Sequence, residues 1–116
     1  MSGPVSDHAY CARLVQGLAT LYQSGLFCDV TLCVAERRFR VHRNILSAAS
    51  PYFNALFTGG LSEAGQETVV IHDMASDVMG SLLLFIYTGL RFFQVFDFFL
   101  LSHADNLYIS RTNTGN

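Results

Sequence analysis

The run FCDVTLCVAERRFRVHRNILSAASPYFNALF, from Phe27 to Phe57, leaves this chain few ways to fold. From Asp29 to Val34 apolar and polar residues alternate, so Val30, Leu32 and Val34 share one face of a strand. Phe39 and Val41 repeat that pattern with Arg38 and Arg40 pointing outward, and Ala35 to Arg37 makes a short turn between the two runs. The pattern predicts a β-hairpin. His42 to Ala49 then reads as a short helix. Ser50 caps a second one, with Pro51 at its first position, where a missing N–H costs nothing. Phe53, Leu56 and Phe57 form the apolar face of that helix, and Gly59-Gly60 ends it.

The flanks complete an α+β pattern. Asp7 is placed to cap a helix whose apolar residues Cys11, Leu14, Val15, Leu18, Leu21 and Tyr22 recur at three- and four-residue steps. Gly25 supplies the left-handed residue that ends it. Thr68 to His72 reads as a third strand. Asp73 or Ser76 caps a last helix through Tyr87, with Val78, Leu82, Phe85 and Ile86 on one stripe and Thr88-Gly89 as the stop. No internal repeat or low-complexity linker interrupts this order. The division expected is a disordered N-terminus over 1–7, a core over 8–89, and an atypical apolar segment with a tail over 90–116.

At 116 residues the chain has room for one core. Hydrophobic residues make up 51% and charged residues 14%, so apolar surface exceeds what the charged residues can cover, and a subunit partner is the expected cover. A net charge of −2 argues against binding a phosphate backbone. Arg37, Arg38, Arg40 and Arg43 cluster locally, as the outer face of a solvated strand and turn. Three cysteines, Cys11, Cys28 and Cys33, fit reduced thiols in the cytoplasm or nucleus, and no signal peptide precedes them. Residues 82–101, LLLFIYTGLRFFQVFDFFLL, approach bilayer-spanning length. Arg91, Gln94 and Asp97 interrupt them, and a charge at a bilayer centre costs about 2.5–3.5 kcal/mol, so no membrane span is expected.

Catalytic chemistry has no footing in these residues. His8, His42, His72, His103 and nine acids show no metal-ligand spacing, phosphate loop or nucleophile elbow. A zinc site from Cys28, Cys33 and His42 fails on geometry, because residues five apart on and beside one strand splay to opposite faces. The reading is a non-enzyme without cofactor or metal.

The Asp29-led hairpin, the His42-Arg43 pair, the SPYF step and the VVIHDM strand together resemble a BTB (POZ) domain of the Kelch-like family over roughly residues 8 to 89. The resemblance implies a dimer in which the first helix packs against its counterpart. Leu14, Leu18 and Leu21 would then be contact residues, with Leu26 and Phe27 beside them. It also places Asp29 and the basic residue after the second strand near that interface. Asp29 would meet Arg43 or His42, across the dimer or as a strand cap within one chain, and the dimer is the expectation.

In Kelch-like adaptors the YF-x-x-x-F helix leads to an apolar-x-Glu loop that helps dock a cullin-three scaffold. Leu61-Ser62-Glu63 matches that signature, with Tyr52, Phe53, Leu56 and Phe57 ahead of it. The function implied is a dimerising adaptor of a cullin-RING ubiquitin ligase, pairing with itself or with related BTB proteins. The chain has no lysine, so it offers no side-chain amine for modification there.

After Gly89 the resemblance fades into five phenylalanines between Phe92 and Phe99 and a looser echo at Ala104 to Ile109. Family cullin contacts reach into the helices this segment replaces, so weaker docking is expected. Without a Kelch module the expectation is a dominant modulator of fuller-length relatives. The other class implied is the BTB dimer of a transcriptional repressor, whose groove binds co-repressor peptides.

Overall fold

A computed structural model describes residues 3–59 and 66–90 of the chain. Its elements run α1 (His8–Ser24), β1 (Val30–Val34), β2 (Arg37–Val41), α2 (Arg43–Ala49), α3 (Pro51–Thr58), β3 (Thr68–Ile71) and α4 (Ser76–Thr88). This is the α+β class expected. β1 lies at the centre of a three-stranded sheet, antiparallel to β2 and parallel to β3. Parallel neighbours need a crossover, and α2 and α3 lie in the connection from β2 to β3.

The alternation in β1 and β2 is realised as read. Val30, Leu32, Val34, Phe39 and Val41 are all buried, and in β3 Val69 and Ile71 join them. The helices close that face with Leu46 from α2, Phe53 and Phe57 from α3, and Met79, Leu83 and Tyr87 from α4. The opposite face carries Arg38, Cys33 and Val70 side by side in register.

The helix ends follow local chemistry, with corrections. The Asp7 carboxylate accepts from the Tyr10 amide at 3.0 Å. At the other end of α1, Gly25 (φ 73°) sends its N–H to Tyr22 while Leu26 N–H returns to the Leu21 carbonyl, a Schellman closure. Ser50 caps α3 through the Phe53 amide, with Pro51 next to it. By contrast α2 begins at Arg43, because His42 keeps an extended backbone.

Neither Asp73 nor Ser76 caps α4. Ala75 holds that position with no side-chain bond, and Ser76 is already helical. The buried face of α4 is broader than the expected stripe. Leu82 is buried and Val78 and Ile86 pack against the core as expected, Met79, Leu83 and Tyr87 are buried beside them, and Phe85 faces outward.

Phe53 is fully buried and stacks on Phe57 at 6.1 Å between ring centroids. Truncation to alanine leaves a cavity in the core between sheet and helices. Phe53→Ala is therefore expected to lower unfolding free energy by about 3–5 kcal/mol in urea titrations followed by circular dichroism.

Candidate functional site

His42 is 3% exposed, and every polar atom of its ring and its amide finds a partner inside the chain. It sits between the end of β2 and the start of α2, where a residue with extended backbone can turn its ring inward. Nε2 lies 2.8 Å from the Leu26 carbonyl and can only donate to it. Nδ1 must then accept, and the Tyr87 hydroxyl donates to it at 2.7 Å. The same hydroxyl accepts the His42 backbone N–H at 3.0 Å. The Cys28 thiol stands 3.6 Å from Nε2.

Tyr87 stacks face to face on Tyr22, with centroids 4.3 Å apart and planes 5° from parallel. One closed relay thus ties the end of α1, the β2–α2 corner and α4. Burial raises the Tyr87 hydroxyl well above its ordinary value of 10.0, against the lowering effect of the His42 amide. Burial likewise raises Tyr22 and the Cys28 thiol, so Cys28 is no activated thiolate.

Beside the relay, Arg43 and Asp29 pair within one chain. The Arg43 amide donates to Asp29 Oδ1 at 2.8 Å, so the carboxylate caps the first turn of α2 that His42 leaves uncapped. The Arg43 guanidinium reaches the Asp29 backbone carbonyl at 2.6 Å, the carboxylate at 3.7 Å, the Gln66 carbonyl, and the ring of Phe57. Asp29 is half exposed, so the charge pair itself contributes at most about 1 kcal/mol; the amide cap and the carbonyl bonds position the corner. Arg40 similarly holds Thr31 and the Cys28 carbonyl, each at 2.8 Å. Arg37 lies over Phe39 and reaches the Ser76 carbonyl. These arginines act as intramolecular struts as well as a solvated surface.

The apolar surface left over is concentrated on α1 and the corner after it. No residue of this 17-residue helix is fully buried. Leu18 and Tyr22 lean on the core, but Tyr10, Leu14 and Val15 are exposed, as are Leu26 at 54% and Phe27 at 81%. Alongside runs an apolar groove of about 320 Å3, lined by Leu18, Ile45, Ala48, Ala49, Ile86 and Asn44.

Of the residues expected at an interface, Leu14, Leu26 and Phe27 lie open, and Leu18 and Leu21 are half-buried. His42 is corrected: it is an internal hub, because its ring is spent on Tyr87 and Leu26. Of the two arrangements expected for Asp29 and Arg43, the structure shows the one within a single chain, as a cap on α2. Of the docking candidates, Phe53 and Phe57 are core residues, since the buried face of α3 is the one they occupy. Tyr52 and Leu56 remain half-buried, while Leu61 and Glu63 lie outside the described residues.

Among the described residues no three His, Cys, Asp or Glu side chains gather as a metal group, and Cys33 lies on the sheet face shared with Arg38. No described helix is long and apolar enough to cross a membrane; residues 91–101 of the expected apolar stretch lie outside them. Tyr87 and Arg40 were missed. A tyrosine on a buried helix face needs a hydroxyl partner, and that need was the available signal.

The family profile of the BTB/POZ domain matches residues 18–112. The chain belongs to that family. BTB/POZ is a protein-interaction fold rather than an enzyme family. Kelch-like protein 21 of Homo sapiens is 46% identical over 87 residues, which cover 74% of this chain and 15% of that protein. Kelch repeat and BTB domain-containing protein 7 of Homo sapiens is 38% identical over 98 residues, covering 76% and 14%. The chain therefore spans about one seventh of the length of these relatives. Among solved structures, the BTB domain of human gigaxonin has a TM-score of 0.71 at 27% identity, over 98% of this chain and 95% of that one. The BTB domain of zebrafish PATZ1, at 22% identity and a TM-score of 0.72, shares the fold.

Removing the Tyr87 hydroxyl orphans both the His42 amide and Nδ1. Tyr87→Phe is expected to cost this BTB/POZ domain about 1–3 kcal/mol at neutral pH. Its alkaline behaviour should change as well. Below pH 10.0 the folded and unfolded states both keep the Tyr87 proton, so the group adds no pH dependence. Above that, the unfolded state ionises first and stability falls as pH rises. Denaturant titrations at stepped alkaline pH should show a shallower loss for the variant than for the parent.

Proposed function

We propose that this domain is a dimerising protein-interaction module that serves as the adaptor part of a cullin-RING ubiquitin ligase. The observation that carries the dimer is the outer row of α1. A helix of 17 residues with nothing fully buried and with Tyr10, Leu14 and Val15 open to water is costly in a lone subunit. Leu26 and Phe27 extend that surface, and the groove beside Leu18 offers a receiving site. A two-fold pairing lets row and groove serve both subunits at once. The partner is a second copy or a related BTB domain, a pairing that the identity to Kelch-like protein 21 supports.

The adaptor role rests on kinship with Kelch-like proteins and on Leu61-Ser62-Glu63 after α3. Leu61 fills an apolar pocket of a cullin-three scaffold while Glu63 steadies the loop or meets a basic group. Tyr52 and Leu56 supply the flanking contacts from α3, with Phe53 and Phe57 holding that helix from beneath. A cytoplasmic or nuclear setting fits three unpaired thiols.

Light scattering of the purified chain should give about twice its 12.9 kDa mass. Leu14→Glu places a charge twice in a two-fold interface and should weaken the dimer at least about a hundredfold, with the circular dichroism spectrum retained. Addition of an N-terminal cullin-three fragment should shift the dimer to a larger complex, and a Leu61→Ala, Glu63→Ala double variant should abolish that shift. A dimer that never shifts removes the adaptor role and leaves the peptide-binding use of a repressor-type domain.

A further inference from the structure

We propose that the cleft between the end of α1, β2 and α4 binds a small zwitterion, an α-amino acid with an apolar side chain, whose carboxylate meets Arg37 and whose ammonium meets Asp77. The cleft shares no residue with the proposed dimer surface or with the docking residues of α3, so it stands or falls independently of both.

The cleft measures about 370 Å3, at the small end for a ligand pocket. Its α4 wall is made by Asp77, Gly80, Ser81 and Leu84, spaced as one helical face. A helix face turned towards a sheet ordinarily carries large apolar residues. Here its two middle positions are glycine and serine, which leaves the volume open among the described residues. Gly80 lies in mid-helix, where glycine weakens a helix, and no positive φ calls for it. What matters is the missing side chain: a Cβ at position 80 would stand 3.4 Å from Arg37 Nη1.

Strand register seats a charge on the opposite wall. Arg37 stands across from the fully buried Val34, so its side chain leaves β2 on the core face. Its guanidinium lies 4.6 Å from the centre of the Phe39 ring, and Nη1 reaches the Ser76 carbonyl at 3.4 Å. That long bond leaves most of the guanidinium donors for an acceptor in the cleft. Asp77 lines the same cleft, where its Oδ1 takes the Val78 amide at 2.9 Å, yet no ion pair joins it to Arg37. Two opposite charges that face one cleft and not each other are complementary to a ligand that carries both.

The remaining walls set the body of that ligand. The rings of Tyr22 and Phe39 and the side chain of Leu84 are apolar and suit an aliphatic or aromatic side chain. The Tyr22 and Ser81 hydroxyls make no hydrogen bond among the described residues and are available to a carboxylate. Burial raises the Tyr22 hydroxyl, against a lowering by Arg37, so at neutral pH it keeps its proton and can donate. A cleft of this size takes one residue rather than a chain, and a free amino acid offers both charges on one residue. The groove beside Leu18 is a separate feature. Leu84 lines the cleft and Ile86 the groove, two residues apart and so on nearly opposite sides of α4.

Calorimetric titration of the full chain with phenylalanine, N-acetylphenylalanine and phenylalaninamide tests this, with the Tyr22 ring resonances followed by NMR. Phenylalanine should bind saturably and shift those resonances. Each blocked compound lacks one charge and should bind at least about tenfold more weakly. In Asp77→Asn, phenylalanine should fall to the affinity that N-acetylphenylalanine has for the parent. In Arg37→Gln it should fall to that of phenylalaninamide, so each variant matches the loss of one ligand charge. Both side chains are exposed, and the variants should keep the parent circular dichroism spectrum. No saturable binding, or equal affinity for all three compounds, overturns the site. Binding that both variants leave unchanged, or that shifts residues of the groove beside Leu18 instead, places the ligand elsewhere and overturns it too.

Discussion

A buried histidine that must satisfy three polar groups without water is the constraint on which the rest of this fold is arranged. His42 donates to Leu26, accepts from Tyr87 and gives its amide to the same hydroxyl, so no one of these groups can move alone. Any of them left unpaired in that interior would cost more than an ordinary hydrogen bond contributes. The end of α1, the corner after β2 and the last full turn of α4 are therefore fixed relative to one another. Tyr22, stacked on Tyr87, carries the same registration back into α1.

The scarce charged residues are used as struts around that hub. Arg43 joins Asp29, Gln66 and Phe57, Arg40 joins Cys28 and Thr31, and Arg37 joins Phe39 to Ser76. Guanidinium groups suit this because one planar fork can serve several carbonyls and still lie on an aromatic ring. With its basic side chains so occupied, the sheet corner is rigid, and the outer row of α1 with Leu26 and Phe27 stays apolar. Rigidity and apolar exposure in adjoining segments are what a protein-interaction domain requires of a docking face.

Much of the fold is legible from the chain because it depends on neighbours in sequence. The alternation of Val30, Leu32, Val34, Phe39 and Val41 sets the hairpin and its buried face, and Ser50-Pro51 starts α3 where a cap and a preset φ coincide. The α4 start was misread, since Asp73 and Ser76 look like caps but the chain enters the helix through Ala75. The stripe on α4 holds for Val78, Leu82 and Ile86 but not for Phe85, and it leaves out Met79, Leu83 and Tyr87. Nearly every position of SDVMGSLLLFIYT after Asp77 is apolar or small, so periodicity alone cannot choose the face that meets the sheet.

The site divides along the same line. Sequence by itself determined that the chain would be an α+β domain with an apolar first helix and a solvent-facing excess of hydrophobic residues, because those properties follow from composition and from periods of two and three to four residues. It also carried the kinship to BTB/POZ domains in the hairpin and the SPYF step. Only the tertiary structure decided that His42 turns inward to Tyr87 and that Asp29 caps α2 of its own chain. Each of those outcomes joins residues 14 to 45 positions apart, and no local pattern specifies which distant partner a buried polar group will meet.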